Sequence, residues 1–194
     1  MDCERNTIKT TTMTTDSQQA LELLKTGNAR FVLGTLTPKD NYAELREQLS
    51  EGQRPFAAVL CCSDSRVSPE IIFDQKLGDL FVIRNAGNVI DKHVLGSIEY
   101  AVEHLGTKLV VVMSHSSCGA VTATYHNETL PDNIMAIARR IKPSISTSCC
   151  IDDNARRHAK RMAKFIQGDP VVHHVEAKVV AAFYDIRSGK VEWL

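Results

Sequence analysis

The run FAAVLCCSDSR, residues 56–66, decides how the chain folds. Its first seven residues are all apolar, so neither face of the segment suits water. At this length it reads as a strand covered on both sides, the habit of parallel sheets. It then breaks into Ser63-Asp64-Ser65-Arg66. Three later runs repeat the pattern: LFVIR (80–84), KLVVVM (108–113) and KVVAAFYDI (178–186). Helical spacing lies between them: Pro69–Gln75, Val94–Leu105, a turn or two after Ser117, Ile134–Ile141, and Asp153–Gln167 with Asp152 or Asp153 as cap. Strand alternating with helix predicts an α/β fold with a mostly parallel central sheet flanked by helices. Arg187-Ser188-Gly189-Lys190 is a turn signal, after which VEWL returns as an antiparallel C-terminal edge strand.

Working outward to the N-terminus, Asp16 caps a predicted helix that carries Ala20, Leu21, Leu23, Leu24, Phe31 and Val32 through about Leu33. A second, short helix is expected from about Asn41 to Ser50. These form an N-terminal helical arm over 17–51, ahead of an α/β part over 52–194, the two making a single domain over 17–194. The arm is expected to dock on a neighbouring subunit. Residues 1–16, MDCERNTIKTTTMTTD, read as a disordered Thr-rich tail.

The 194 residues are 43% hydrophobic, enough for a sizeable core, and 23 basic residues balance 23 acidic ones. A chain without net charge has no field to draw nucleic acid or an anionic membrane, so neither is expected as a partner. No apolar run approaches the roughly 20 residues of a membrane span. The tail lacks the apolar core of a secretory signal, so the cytoplasm is the expected location, with organelle targeting by the tail as the alternative.

The cysteines are Cys3, Cys61, Cys62, Cys118, Cys149 and Cys150. Two pairs are adjacent in sequence, where a disulfide would be strained. An intracellular chain with Cys and His at short spacing reads better as a metal site. Cys61 is expected to be a small buried hydrophobe; Cys149 and Cys150 are expected to be buried likewise, or else sensitive to oxidation.

Ligands of open α/β sheets collect at the carboxyl ends of the strands. CSDSR (62–66) follows the first strand and HSSCG (115–119) follows the third. If those strands are neighbours, Cys62, His115 and Cys118 converge. Two thiolates and an imidazole make a Cys₂His set, a catalytic zinc arrangement with a fourth position open, and thiolates select zinc over magnesium or calcium. The competing reading is a closed structural site with Asp64 as fourth ligand. Asp64 and Arg66 are an ordinary surface pair at their blandest. Beside a dication, a bidentate Arg66 would hold the Asp64 carboxylate off the metal and leave it to orient bound water.

The segments CCSDSRVSPEIIFDQKLGDLFVIRNAGNVI, GSIEYAVEHLG and VVVMSHSSCGAV, in that order, closely resemble the beta-class carbonic anhydrases, and the closing YDIRSGKVEWL is similar to the family's final hairpin. The resemblance implies a lyase (carbonate dehydratase) catalysing reversible hydration of carbon dioxide to bicarbonate and a proton by attack of zinc-bound hydroxide. It implies one Zn2+ per chain on Cys62, His115 and Cys118, with Asp64 and Arg66 as a catalytic dyad. It further implies a homodimer or higher even oligomer whose cleft is shared between subunits, with Gln53, Phe81, Tyr100 and the Gly119 backbone lining it. Gly87 and Gly119 are expected to allow close backbone approach. Some members carry an inhibitory bicarbonate site built on a Trp, an Arg and a Tyr. Val59 stands at the Trp position, with Arg84 at the Arg, so the open subtype without that site is expected. Two other readings remain: a related zinc hydrolase of carbonyl sulfide or carbon disulfide, and a non-enzymatic zinc or redox scaffold.

Overall fold

The computed structural model describes residues 15–194; the expected tail and Cys3 lie outside the described residues except for Thr15 and Asp16. Helix α1 (Ser17–Leu33) starts at Asp16, whose side chain accepts from the N–H groups of Gln18 and Gln19, and stops at Gly34 in the left-handed region. Helix α2 (Tyr42–Leu49) buries none of its residues. The α/β part then runs β1 (Ala57–Cys62), α3 (Pro69–Ile72), β2 (Leu80–Asn85), α4 (Lys92–Glu99, continued by a π-helical turn over Tyr100–His104) and β3 (Leu109–His115). It closes with α5 (Gly119–Tyr125), α6 (Asp132–Ile141), α7 (Ile151–Gln167), α8 (Pro170–His174), β4 (Lys178–Tyr184) and β5 (Val191–Trp193).

The sheet order is β2-β1-β3-β4-β5, parallel except for β5, which pairs antiparallel with β4. Every residue of β1 and of β3 is buried, which is why both runs are apolar throughout. Alternation sorts them onto two faces. Ala58, Leu60, Val110 and Val112 pack with Val94 and Ile98 of α4 and Ala159, Met162 and Ile166 of α7. Ala57, Val59, Cys61, Leu109, Val111 and Met113 pack with Ala20, Leu21 and Leu24 of α1 and with Phe73. The chain leaves β1 for β2 on one side and returns for β3 on the other, so the topological switch point lies between β1 and β3.

Several boundaries differ from expectation for identifiable reasons. Helix α3 ends at Ile72, short of Gln75, because Asp74 adopts a φ of +51°. Helix α7 begins at Ile151, and its cap is Cys150 rather than Asp152 or Asp153, the Cys150 sulfur accepting from the Asp153 N–H. Cys150 is therefore exposed and not buried, and Cys149 is only partly covered, whereas Cys61 is fully buried as expected. Among the described residues no helix is long and apolar enough to cross a membrane.

Helix α1 lies on the sheet of its own chain, and not solely against a neighbour. Gly27 is the contact point: a Cβ there would sit 1.7 Å from the Phe73 carbonyl oxygen, so only glycine fits. Asn28 donates to the carbonyls of Ile72 and Gly189 and accepts from the Val191 N–H, tying α1 to the last hairpin. Beside it the Asp74 carboxylate, fully covered, takes Arg30 Nε at 2.5 Å, Lys39 Nζ, and the N–H and hydroxyl of Thr37.

Burial pushes the Asp74 carboxyl up, but Lys39, Arg30 and Thr37 outweigh it and hold the group well below its usual range. A carboxyl depressed in the folded state contributes stability above its unfolded pKa of about 3.9, and that contribution is lost as pH falls. Urea titrations from neutral to acid pH are expected to show a midpoint that is flat near neutrality and declines below about pH 4. Asp74→Asn is expected to lower stability at pH 7 on the order of 3 kcal/mol, the low end for removing one partner of a buried ion pair, and to flatten that acid decline.

Candidate metal centre

Three chain segments meet at the switch point. Cys62 is the last residue of β1, His115 the last of β3, and Cys118 the residue before α5. The turn between the last two is made by Ser116 and Ser117, the latter at a φ of +55°. The Ser116 N–H bonds the Tyr184 carbonyl and the Ser117 N–H bonds the Asp152 carboxylate, so β4 and α7 fix the turn. The two sulfurs and a ring nitrogen of His115 all lie within 4.8 Å of one another. That is the spread of a single ion with bonds of about 2.0–2.3 Å.

His115 has no exposed surface. Its Nδ1 lies 2.9 Å from the Ser116 carbonyl oxygen, which can only accept, so Nδ1 carries the proton and Nε2 a lone pair. Nε2 is buried without any hydrogen-bond partner. A buried acceptor left so costs about 1–3 kcal/mol, and a metal ion between it and the sulfurs satisfies it. The donor set and this orphaned nitrogen both fit a zinc-type ion.

One of the two sulfurs, Cys62, is prepared for the same task. The neighbouring Cys118 sulfur, against the cost of burial, shifts Cys62 toward thiolate; His115 and the Gly87 N–H at 3.3 Å add to this. Cys118 moves the opposite way, because it shares its proton with Cys62 and is buried. Around them lie Val89, Val121, Ile141, Ala155 and Phe183, an apolar wall that keeps water off the ligands. Cys61 points to the other face of β1, where burial pushes its thiol up to about 12 and keeps it inert.

Asp64 stands over this cluster, its Oδ2 3.9 Å from His115 Nε2. Arg66 clasps it with both ends of the guanidinium, Nε to Oδ1 at 2.9 Å and Nη2 to Oδ2 at 2.8 Å, and its own N–H adds a third bond to Oδ1. Arg66 holds the Asp64 carboxyl well below the ordinary range, so it is ionised at neutral pH. Arg84 straps the loop from beneath, donating to the carbonyls of Asp64 and Cys62. The sequence pointed to Arg84 only as part of an inhibitory site; its place on β2, beside Cys61 in register, was the available signal for this second task.

The lining residues divide. Gly119 opens α5 next to Cys118, and a Cβ there would meet nothing within 4 Å. Close approach therefore does not explain that glycine, whereas it does explain Gly87, which sits at a φ of +70° with Ile141 and Ala120 pressed against it. Gln53 is exposed in the coil leading into β1. Phe81 and Tyr100 pack on each other, ring centroids 6.2 Å apart, with Tyr100 47% exposed. They stand away from the cluster of their own chain: Phe81 precedes Asn85, the strand partner of Cys62, by four residues, or about 13 Å along β2.

A family model described as carbonic anhydrase matches residues 57–191, which include all three clustered residues. The chain belongs to the beta-class carbonic anhydrase family. A carbonic anhydrase of Mycolicibacterium smegmatis is 51% identical over 130 residues, covering 65% of this chain and 63% of that protein. The chain thus spans just under two thirds of the length of the first curated relatives it matches. A b-carbonic anhydrase of the fungal pathogen Aspergillus fumigatus superposes with a TM-score of 0.73 at 29% identity, covering 79% of this chain and 81% of that one. A tetrameric beta-carbonic anhydrase from Sordaria macrospora gives the same TM-score at 24% identity over 78% and 86%, a likeness of fold. The beta-class fold accounts for the parallel sheet, the final antiparallel strand and the placing of Cys62, His115 and Cys118 at one end of it.

Proposed function

We propose that the protein catalyses reversible hydration of carbon dioxide to bicarbonate and a proton, with one zinc ion per chain held by Cys62, His115 and Cys118. The observation that carries this is the buried, unpartnered Nε2 of His115 facing two sulfurs, one of them driven toward thiolate. Held by these residues, zinc would lower the pKa of water from 15.7 to about 7 and so would supply a nucleophile at neutral pH. The protein does the rest. The Ser116 carbonyl keeps the His115 lone pair aimed at the ion. Arg66 occupies both Asp64 oxygens, so the carboxylate stays off the ion and presents its remaining lone pairs as a hydrogen-bond acceptor for the nucleophile. Val89, Val121 and Phe183 exclude bulk water. The open space at Gly119, next to its N–H in the first turn of α5, suits a bicarbonate oxygen.

Phe81 and Tyr100 serve the same reaction in a second subunit. Phe81 lies about 13 Å along β2 from the strand partner of Cys62, and the half-exposed Tyr100 packs on it, so as an apolar wall they line the cleft of a partner, with Gln53 at its mouth. Light scattering at micromolar concentration is expected to give an even multiple of the 21.5 kDa chain. A mass of one chain would overturn the shared cleft. The cytoplasm is the expected location.

Parallel assays on one zinc-loaded preparation test the reading. Rapid hydration of carbon dioxide with slow or no turnover of carbonyl sulfide is the expected result. The reverse preference would make the protein a hydrolase of carbonyl sulfide or carbon disulfide, and inactivity on both would make it a scaffold.

A further inference from the structure

His158 is the one fully buried histidine of the described residues besides His115, and the metal centre does not use it. It lies in the middle of α7 with both ring nitrogens engaged. Nδ1 is 3.1 Å from the Ser144 hydroxyl and Nε2 is 2.9 Å from the Gly87 carbonyl oxygen. A carbonyl only accepts, so Nε2 carries the proton and Nδ1 accepts from Ser144. Burial keeps the ring neutral, its pKa pushed down to about 4 against the pull of the Gly87 carbonyl.

The far side of Gly87 matters more. Its N–H points at the Cys62 sulfur, 3.3 Å away. The conformation that aims it there has a φ of +70°, and Ile141 Cδ1 and Ala120 Cβ would meet a Cβ at 2.7 and 3.1 Å, so glycine is required. Glycine is also the residue least able to hold a conformation by itself. One end of this residue touches the thiolate, and the other end is anchored by a helix residue far away in sequence.

We infer that His158 is a positioning residue for the metal centre: by anchoring the Gly87 carbonyl it aims the Gly87 N–H at the Cys62 thiolate. An N–H on a ligand sulfur withdraws charge from it, and outer partners of this kind tune metal sites. The inference rests on the proposal that Cys62 is a metal ligand.

The test uses the full chain loaded with an NMR-active cadmium isotope in place of zinc. A hydrogen bond from an amide to a metal-bound thiolate transmits scalar coupling from the metal to the amide proton. The wild type is expected to show this coupling at Gly87. His158→Gln, whose longer amide reaches the Gly87 carbonyl, is expected to keep it. His158→Asn, whose shorter amide stays with Ser144 and falls short of Gly87, is expected to lose it while still binding cadmium. His158→Leu makes the same test should the asparagine variant not fold. Coupling that persists in a folded Asn or Leu variant would overturn the inference, as would its absence at Gly87 in a cadmium-loaded wild type. A wild type that binds no cadmium would overturn the ligand assignment itself.

Discussion

Cys118→Ser is expected to empty the centre and end turnover: zinc is expected to fall from about one per chain to near none, and carbon dioxide hydration to drop on the order of a thousandfold or more. The size follows from what the ion supplies, several kcal/mol of charge stabilisation, at about 1.4 kcal/mol per factor of ten. Serine keeps the volume but not the thiolate, and a hydroxyl in this apolar pocket has no charge to offer a dication. Cys61→Ala is the control. Cys61 adjoins Cys62 in sequence but faces Val59, Val111 and Met113 on the opposite side of β1. It is expected to keep full zinc and near-normal turnover while losing some stability to the small cavity. Zinc analysis and stopped-flow hydration on the two variants check both statements.

Asp64→Asn separates holding the metal from using it. Zinc content is expected to stay near one per chain, since Asp64 is not among the three clustered residues. Turnover is expected to fall about a hundredfold or more, the usual size for a positioned proton-handling group. The asparagine amide replaces one acceptor oxygen by a donor and cannot take both ends of Arg66, so the bidentate clasp opens. Arg66→Lys is expected to lose activity too, because an ammonium cannot make the forked contact. An unchanged rate in Asp64→Asn would refute the role given to this pair.

The fold was legible where burial alone dictates sequence. Strands β1 and β3 are covered on both faces, so their apolar runs stand out, and the turn Arg187–Lys190 announced the antiparallel return. Elsewhere the deciding contacts were remote or local beyond pattern. Helix α8 has a good start in Asp169, whose side chain accepts from the N–H groups of Val171 and Val172, with Pro170 next, but at five residues it carries no periodicity to detect. The π-helical turn at Tyr100–His104 leaves no mark in the spacing. The metal cluster was readable because Cys62 and His115 end β1 and β3, which pair directly with each other, so strand order alone brings them together. The strap by Arg84 and the His158 contact to Gly87 were not readable: they join residues 20 and 71 positions apart and depend on how helix and sheet pack. Glycine at 119 was expected to permit close approach and instead leaves space.

The most direct measurement of the central claim is titration of zinc into metal-free protein, with the hydration rate of carbon dioxide read by stopped flow at each addition. The rate is predicted to rise in proportion to zinc and to level off at one ion per chain. Full activity before any zinc is added, or complete binding of one zinc per chain with no hydration, would contradict the account.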